Sequence, residues 1–421
     1  MENEAVTVKI FGREVGKLAA EPDNDRVIFQ YRDGYFRDLP NIFPFVIKKT
    51  DRPQMFKGAE NRPFRGLPSV IADSLPDDFG NMLFNDWLKR RGKEPGSLSP
   101  LEQLTYISDR GMGALEYYPA KDIPEAGSMK LEEIISILDR VILSKREGTQ
   151  PDLNEAALFN IFRMGTSAGG ARPKLIISRN KVTGEIAPGD IHTSNEWGHY
   201  LVKLHLEHVD TDYNRARVEY AYYLLARHCG IEMSPSMMVG EQHFATSRFD
   251  RSDGKKRHVL TASGIAGWDF HDPFVSTYTD LFQLAVALKV PHRDIGELFR
   301  RMVFNVVMAN GDDHLKNHSF IYREESDVWE LAPGYDINYP LNALNKYGSV
   351  PRALMIHGKR RGIKRADLMG LAKKYSVKGG ERIIDQVIEG AMEWERFADE
   401  ALVPEKVAMA IQGDHDYLES D

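Results

Sequence analysis

Two acids and an amide in the last third of the chain have the types and spacing that phosphate chemistry needs. The string Ala309-Asn310-Gly311-Asp312-Asp313-His314-Leu315-Lys316-Asn317 follows an apolar run and precedes the short apolar segment Ser319 to Tyr322. It therefore reads as a polar loop between a helix and a strand. Asp312 and Asn317 stand five apart. The carboxylate could orient and deprotonate an attacking hydroxyl while the amide turns back to coordinate a metal under the phosphates. The same residues also suit an Asx-rich turn that binds only its own backbone. Downstream, Leu331-Ala332-Pro333-Gly334-Tyr335-Asp336 sets one acid directly after a Pro-Gly turn. Asp336 could supply a second hard oxygen ligand to Mg²⁺, or it could simply cap the turn.

Three strings upstream fit the same chemistry. Arg163 to Lys174 (RMGTSAGGARPK) gathers Gly165, Gly169 and Gly170 ahead of the apolar Leu175 to Ile177. Backbone N–H groups in such a loop can approach phosphate oxygens closely, and Lys174 adds positive charge, although a plain hairpin loop has the same composition. It matches neither a Walker A sequence nor G-x-G-x-x-G. In Tyr200-Leu201-Val202-Lys203-Leu204 a lysine interrupts an apolar strand, and a cation so placed needs a partner or a phosphate. Glu219, on the next helix, could form the Lys–Glu pair of active kinases or be an ordinary exposed acid. Thr246 to Arg251 (TSRFDR) ends a strand where a kinase hinge would offer backbone groups to adenine. The order of these strings fits a two-lobed kinase, whose catalytic loop H-R-D-x-x-x-x-N has the same Asp-to-Asn interval.

The elements that must position these residues are legible from periodicity. Alternating apolar residues from Val6 to Leu18 around Gly12, and again at Val27, Phe29 and Tyr31, predict a small opening sheet. A helix is expected over 81–91, stopped by Gly92, then a linker marked by Pro119, Pro124 and Gly127. Leu131, Ile134, Ile135, Leu138, Val141 and Ile142 form one face of an amphipathic helix. Strands are expected around 175–177, 199–204 and 239–249, with a helix over 214–229 ended by Gly230. From Thr277 onward the pattern is mostly helical. With 421 residues, the length prior is two or three domains. The expected boundaries are 1–125, 126–255 and 256–421.

Composition narrows the classes. At 42% hydrophobic, 28% charged and 10% aromatic the chain should fold rather than remain disordered, and a net charge of −7 is the wrong sign for coating nucleic acid with the whole surface. The single Cys229 allows no intrachain disulfide and suits a reducing cytosol. The acidic start Met1-Glu2-Asn3-Glu4 is unlike a secretory signal, and no run approaches the ~18 apolar residues of a membrane span. A cytoplasmic protein without a membrane partner is expected.

Taken together, these strings resemble the HipA family, the kinase toxins of bacterial type II toxin–antitoxin modules. Gly66-Leu67-Pro68, Asp73-Ser74-Leu75-Pro76-Asp77 and Gly111-Met112-Gly113-Ala114-Leu115 look like parts of the family's extra amino-terminal domain. The resemblance implies an α+β, two-lobed protein-kinase-like (HipA-like) fold with a small β-rich amino-terminal domain, a mixed nucleotide-binding lobe and a mostly helical carboxy-terminal lobe. It implies an ATP- and Mg²⁺-dependent serine/threonine kinase acting on a protein hydroxyl, with aminoacyl-tRNA synthetases among the candidate substrates. A separate HipB-type antitoxin chain would be the partner, and DNA would be reached through it. In this resemblance Asp312, with Asn317, is catalytic, and Asn317 and Asp336 hold the metal. ATP is contacted by Ala168, Gly169, Gly170, Ala171, Arg172, Lys174 and Lys203, and is bordered by His314, Lys316, Asn317, Tyr335 and Asp336. Ser247, Arg248 and Phe249 form the adenine hinge, and Ser167, or else Thr166, is the loop residue the enzyme phosphorylates on itself.

The chain departs from the family pattern at Ser247, where an acidic residue is expected, and at Arg172-Pro173, because Pro173 fixes its φ and lacks an N–H. Two other readings stay open: a non-catalytic HipA-like partner of an antitoxin repressor, against which intact Asp312, Asn317, Asp336 and Lys203 argue, and a small-molecule or lipid kinase. Between 346 and 378 ten basic residues face one acid, Asp367, a local balance of +9 that suits either a phosphate-rich partner or a solvated helix face. His192, His199, His205 and His208 cluster in sequence without a nearby acidic pair and are read as surface or packing residues.

Overall fold

A computed structural model describes residues 5–21, 26–35, 40–56, 64–76, 78–94, 98–121, 130–149, 172–189, 194–270, 272, 276–340 and 351–418. The chain divides into two compact units, Met1–His208 with Ala245–Leu260, and Val209–Phe244 with Thr261–Asp421.

The first unit opens with β1 (Val6–Ile10), β2 (Arg13–Ala20), β3 (Val27–Tyr31) and β4 (Gln54–Phe56). Val6, Val8 and Ile10 are buried and Thr7 and Lys9 less so, the alternation of a strand with one face in the core. Phe11 and Gly12, at φ 49° and 74°, make the tight β1–β2 turn, where a two-residue hairpin of this hand needs both residues at positive φ. Helices α1 (Ser69–Ala72), α2 (Asp78–Arg90) and α3 (Pro100–Ile107) follow, then β5 (Leu115–Tyr118), which joins the sheet beside β1. The strand order is β4-β3-β2-β1-β5 and all pairings are antiparallel. Ser99 and Glu102 form a capping box that starts α3, and Phe84, Trp87 and Leu88 of α2 are buried with Leu98 and Tyr106. After α4 (Leu131–Arg146), β6 (Lys174–Asn180) pairs antiparallel with β7 (Ile186–Pro188) on one side and β8 (Trp197–Lys203) on the other.

The chain then enters the second unit with α5 (Arg215–His228), whose N-cap Asn214 accepts from the N–H groups of Ala216 and Arg217. Strand β9 (Ser236–Val239) and strand β10 (His243–Ser247) replace the single strand expected over 239–249. Gly240 and Glu241, both at positive φ, turn the chain between them at the polar Gly240-Glu241-Gln242 interruption of the expected strand. The short β11 (Arg251–Ser252), β12 (Lys255–Lys256) and, up to Leu260, β13 (His258–Thr261) fall in the 245–260 segment of the first unit, and the second unit resumes at Thr261 with α6 (Ala262–Ala266), α7 (Tyr278–Ala287) and α8 (His292–Val307). In α8, Ile295, Leu298, Phe299, Met302, Val303 and Val306 fall on one face and are all buried, each stabilising by about 1.5–3 kcal/mol. β14 (Ser319–Arg323) and β15 (Val328–Leu331) form an antiparallel hairpin. The chain ends in α9 (Arg365–Lys374), α10 (Gly380–Ala391), α11 (Trp394–Glu400) and α12 (Glu405–Gln412). α10 packs on α8, and the buried Trp394 meets Tyr222 of α5 edge-on at 5.2 Å. Thus a β-rich amino-terminal region precedes a mostly helical carboxy-terminal part. Among the described residues no helix is long and apolar enough to cross a membrane.

Candidate active site

Helix α8 delivers the polar loop. It ends at Met308, whose carbonyl accepts from the Tyr222 hydroxyl at 2.8 Å, and Ala309 at φ 53° turns the chain out of the helix. The two adjacent acids then have opposite surroundings. The Asp312 side chain is 59% exposed, with His314 Nε2 at 3.8 Å. Asp313 is fully buried and accepts from the Tyr278 hydroxyl at 2.8 Å, Arg352 at 3.1 Å and the backbone N–H groups of Ala353 and Leu354 at 3.0 and 3.2 Å. Burial pushes the Asp313 carboxyl up while Arg352, Tyr278 and the two N–H groups oppose it. Asp313 is the anchor that holds the loop, and Asp312 is the acid the loop presents.

Asn317 closes a short 3₁₀ turn, Leu315–Asn317, and its Nδ2 donates to the Asp312 carbonyl at 2.8 Å. The Asx-turn reading therefore holds for the nitrogen, and it does not use Oδ1, the atom the ligand reading needs. Tyr335 ties the second segment to the first. Its hydroxyl donates to the Lys316 carbonyl at 2.6 Å and so accepts from Ser319 Oγ at 2.5 Å. Asp336 follows at φ 53°, with Asn338 donating to its Oδ1 at 3.1 Å. Gly334 donates to the Glu232 carbonyl at 2.7 Å, and a Cβ on it would lie 2.6 Å from Met233 Sδ.

Asn317 and Asp336 line one cleft, together with Asn310, Asp313, His318 and Tyr335. The donor set fits a hard divalent cation: a carboxylate, an amide oxygen on Asn317, and the buried Asn310 Oδ1, which has no hydrogen-bond partner. His318 faces the Asp313 carbonyl through Nε2 at 3.3 Å, and burial, with Arg301 adding to it, takes its pKa down to about 3, so its ring is neutral. Phe270, which sequence reasoning missed, packs against the same loop: its ring lies 5.2 Å from the His314 ring and under Lys316 Nζ at 4.8 Å.

In the first unit, Lys174 and Lys203 are directly opposite each other across β6 and β8, and both are buried. Two lysine heads brought into register from neighbouring strands concentrate positive charge, which suits an anionic ligand. Ser247 and Phe249 are half-buried, whereas Arg248 is tied down: its backbone N–H donates to the His199 carbonyl at 2.9 Å and its guanidinium pairs with Asp250. Asp250 also takes Arg251 and the Gly113 N–H, and Arg251 donates to the carbonyls of Gly111 and Gly113. The Gly111-Met112-Gly113 string is thus the seat on which the 248–251 segment is fastened, with Gly113 at φ 75°, where a Cβ would be strained and would sit 3.1 Å from the Val259 carbonyl oxygen. Arg172 is described and half-buried. Ser167, Thr166, Ala168, Gly169, Gly170 and Ala171 lie outside the described residues, as do His192 and Lys346.

Much of the basic stretch has internal partners. Arg352 pairs with Asp313, Lys359 with Asp367 at 2.7 Å and Arg365 with Asp385 at 2.6 Å, while Arg360 donates to the carbonyls of Arg352 and Ala353. Lys373 and Lys374 sit in the last turn of α9, where cations complement the helix dipole. Glu219 is buried on α5. His199 contacts Ser178 Oγ at 2.9 Å, and His208 pairs with Asp139 at 2.9 Å.

Residues 6–118 match the HipA N-terminal domain and residues 166–395 match the HipA-like C-terminal domain. A "Putative kinase Y4dM" of Sinorhizobium fredii is 27% identical over 348 residues, covering 78% of this chain and 76% of that protein. A "Putative kinase" of Haemophilus influenzae is 26% identical over 246 residues, covering 54% of this chain and 66% of its own length. Among solved structures, a chain of the Shewanella oneidensis toxin–antitoxin complex of HipA, HipB and operator DNA superposes with a TM-score of 0.67 at 15% identity, covering 97% of this chain and 94% of that one. The second domain match alone spans more than half of the sequence, and the fold and the order of the site strings agree with it, so the chain belongs to the HipA family.

Proposed function

We propose that this chain is an ATP- and Mg²⁺-dependent protein serine/threonine kinase acting as the toxin of a toxin–antitoxin module in the cytoplasm. The observation that carries the reading is the division of labour in one loop: Asp313 is locked in the core, so Asp312 is held out, exposed, beside the cleft that Asn317 and Asp336 line. In the reaction, Asp312 orients a serine or threonine hydroxyl and accepts its proton as the oxygen attacks the γ-phosphorus, while the bond from that phosphorus to the β,γ-bridging oxygen breaks and its electron pair leaves with ADP. A divalent cation held by Asn317 and Asp336 would neutralise charge on the β- and γ-phosphates. Lys174 and Lys203, with Arg172 and the loop from Ala168 to Ala171, are assigned to the phosphates, and His314, Lys316 and Tyr335 to the nucleotide's border. Ser247 to Phe249 would serve adenine, chiefly through Ser247 and Phe249, since the Arg248 N–H is already engaged. Ser167 is assigned as the self-modified residue; a phosphate there would add about −1.5 to −2 charges beside the ATP tail and repel it.

The solved complex of HipA with HipB and operator DNA supports a HipB-type antitoxin as partner, with DNA reached through it. The protein substrate is assigned to the aminoacyl-tRNA synthetases on the strength of the family resemblance. The test is transfer of radiolabelled γ-phosphate from ATP in a bacterial lysate, followed by mass spectrometry of the labelled protein and of the chain itself. Asp312→Asn should lower transfer by about 10²–10⁴-fold. Undiminished transfer by that variant would remove Asp312 from the mechanism, and an unlabelled Ser167 in active enzyme would remove the switch.

A further inference from the structure

We propose that Asn310 is a third oxygen donor to the divalent cation of this cleft, aimed there by a one-way chain of hydrogen bonds through Asn305 and Tyr278 to Asp313. This rests on the metal reading of Asn317 and Asp336. The chain has only one consistent direction. Asp313 Oδ2 accepts from Arg352, so the Tyr278 hydroxyl, 2.8 Å away, donates to it as well. Its oxygen then accepts from Asn305 Nδ2 at 3.0 Å, which turns Asn305 Oδ1 toward the Asn310 Nδ2 donor at 2.9 Å. With one N–H of Nδ2 given to Asn305, the orientation of the Asn310 amide is fixed and its Oδ1 is turned to the opposite side.

That oxygen is buried, has no partner, and belongs to a residue 2% exposed that lines the same cleft as Asn317 and Asp336. A buried acceptor left without a donor costs about 1–3 kcal/mol, so the arrangement is a site prepared for a guest. The other lining groups say what kind. Asp336 brings a carboxylate, that of Asp313 is taken up by its own four donors, and the guanidinium of Arg301 is already committed to Glu297 and the Ala332 carbonyl, each at 2.8 Å. One carboxylate and the amide oxygens of Asn310 and Asn317 beside a committed arginine select a guest that carries positive charge, directly or through its bound water.

The experiment measures Mn²⁺ binding by electron paramagnetic resonance, using the full chain with a non-hydrolysable ATP analogue. Wild type is compared with Asn310→Ala, Asn310→Asp and Asp336→Ala, each with its melting curve. Asn310→Ala should weaken Mn²⁺ at least tenfold, the scale of losing one group around a metal. Asn310→Asp keeps an oxygen at the site and adds charge, so it should bind at least as tightly as wild type even though it loses the donor to Asn305. Wild-type Mn²⁺ affinity in Asn310→Ala, with binding lost in Asp336→Ala, would overturn the assignment and leave the kinase reading intact. Weak binding by Asn310→Asp, equal to Asn310→Ala, would also overturn it by making the residue structural. Unchanged binding in Asp336→Ala, or none by wild type, would instead remove the metal reading on which it rests.

Discussion

Asp313 offers the sharpest test of how the loop is held. Asp313→Ala removes the carboxylate that accepts from four donors and leaves the Arg352 guanidinium, itself 6% exposed as a residue, without its partner at 3.1 Å. Breaking a buried ion pair from one side costs about 3–5 kcal/mol, and the two stranded backbone N–H groups hold the estimate at the upper end. At about 2–4 °C per kcal/mol for a unit of this size, the melting transition should fall by about 10–20 °C. Asp313→Asn keeps Oδ1 for Ala353 and Leu354 but turns an N–H₂ toward Arg352 and Tyr278, so about 3 kcal/mol is expected. Arg352→Met in the Asp313→Asn background should restore part of that loss, giving a coupling of about 1–3 kcal/mol in a double-mutant cycle measured by urea unfolding. By contrast Asp312→Asn, one residue away, should leave the midpoint unmoved. An Asp313→Ala melting point within 2 °C of wild type, or strictly additive effects of the two substitutions, would refute the anchor.

Three further outcomes follow from the same contacts. Asp336 sits at φ 53°, where a residue with a Cβ is strained by about 1–2 kcal/mol, so Asp336→Gly should melt no lower than wild type while losing Mg²⁺-dependent nucleotide binding in calorimetry. Burial holds the rings of His258 and His415 down to about 4, below the ordinary value near 6.5. A depressed folded pKa means stability is full above about pH 6.5 and declines as pH falls toward 4; at pH 5.5 each ring should cost about 1.4 kcal/mol, and His258→Gln should flatten its share of a urea-midpoint profile. Burial raises the Asp250 carboxyl but Arg248 and Arg251 outweigh it, holding it well below the usual carboxylate range. That stability is present above about pH 4 and is lost as pH falls below it, so Asp250→Asn should cost about 3–5 kcal/mol at pH 7 and much less in acid, by thermal melts at both pH values.

What could be read from the sequence was what local rules decide, and the Asp312–Asp313 pair marks where they stop. The apolar run before Ala309 located the end of α8, turn chemistry located the Pro333-Gly334 bend, and residue type put Asn317 and Asp336 in one chemistry; both side chains line one cleft. No local rule distinguishes two neighbouring aspartates. What separates them is Arg352, 39 residues further on, which composition counted as one more cation in a basic stretch. The same limit explains Arg248, legible as part of a strand end but not as a partner for Asp250 and, through Asp250, for Gly113, 137 residues from that acid. Asn310 shows the converse. Its type and place in the loop were on view, yet its meaning depends on which atom of its amide is already bonded, and that follows only from a chain through Asn305, Tyr278 and Asp313 that ends in the core. In this protein the proposed reactive groups are local in sequence and their orientation is not. Substitutions at Tyr278 or Arg352, which touch no proposed ligand of ATP, should therefore alter the site as surely as substitutions within it.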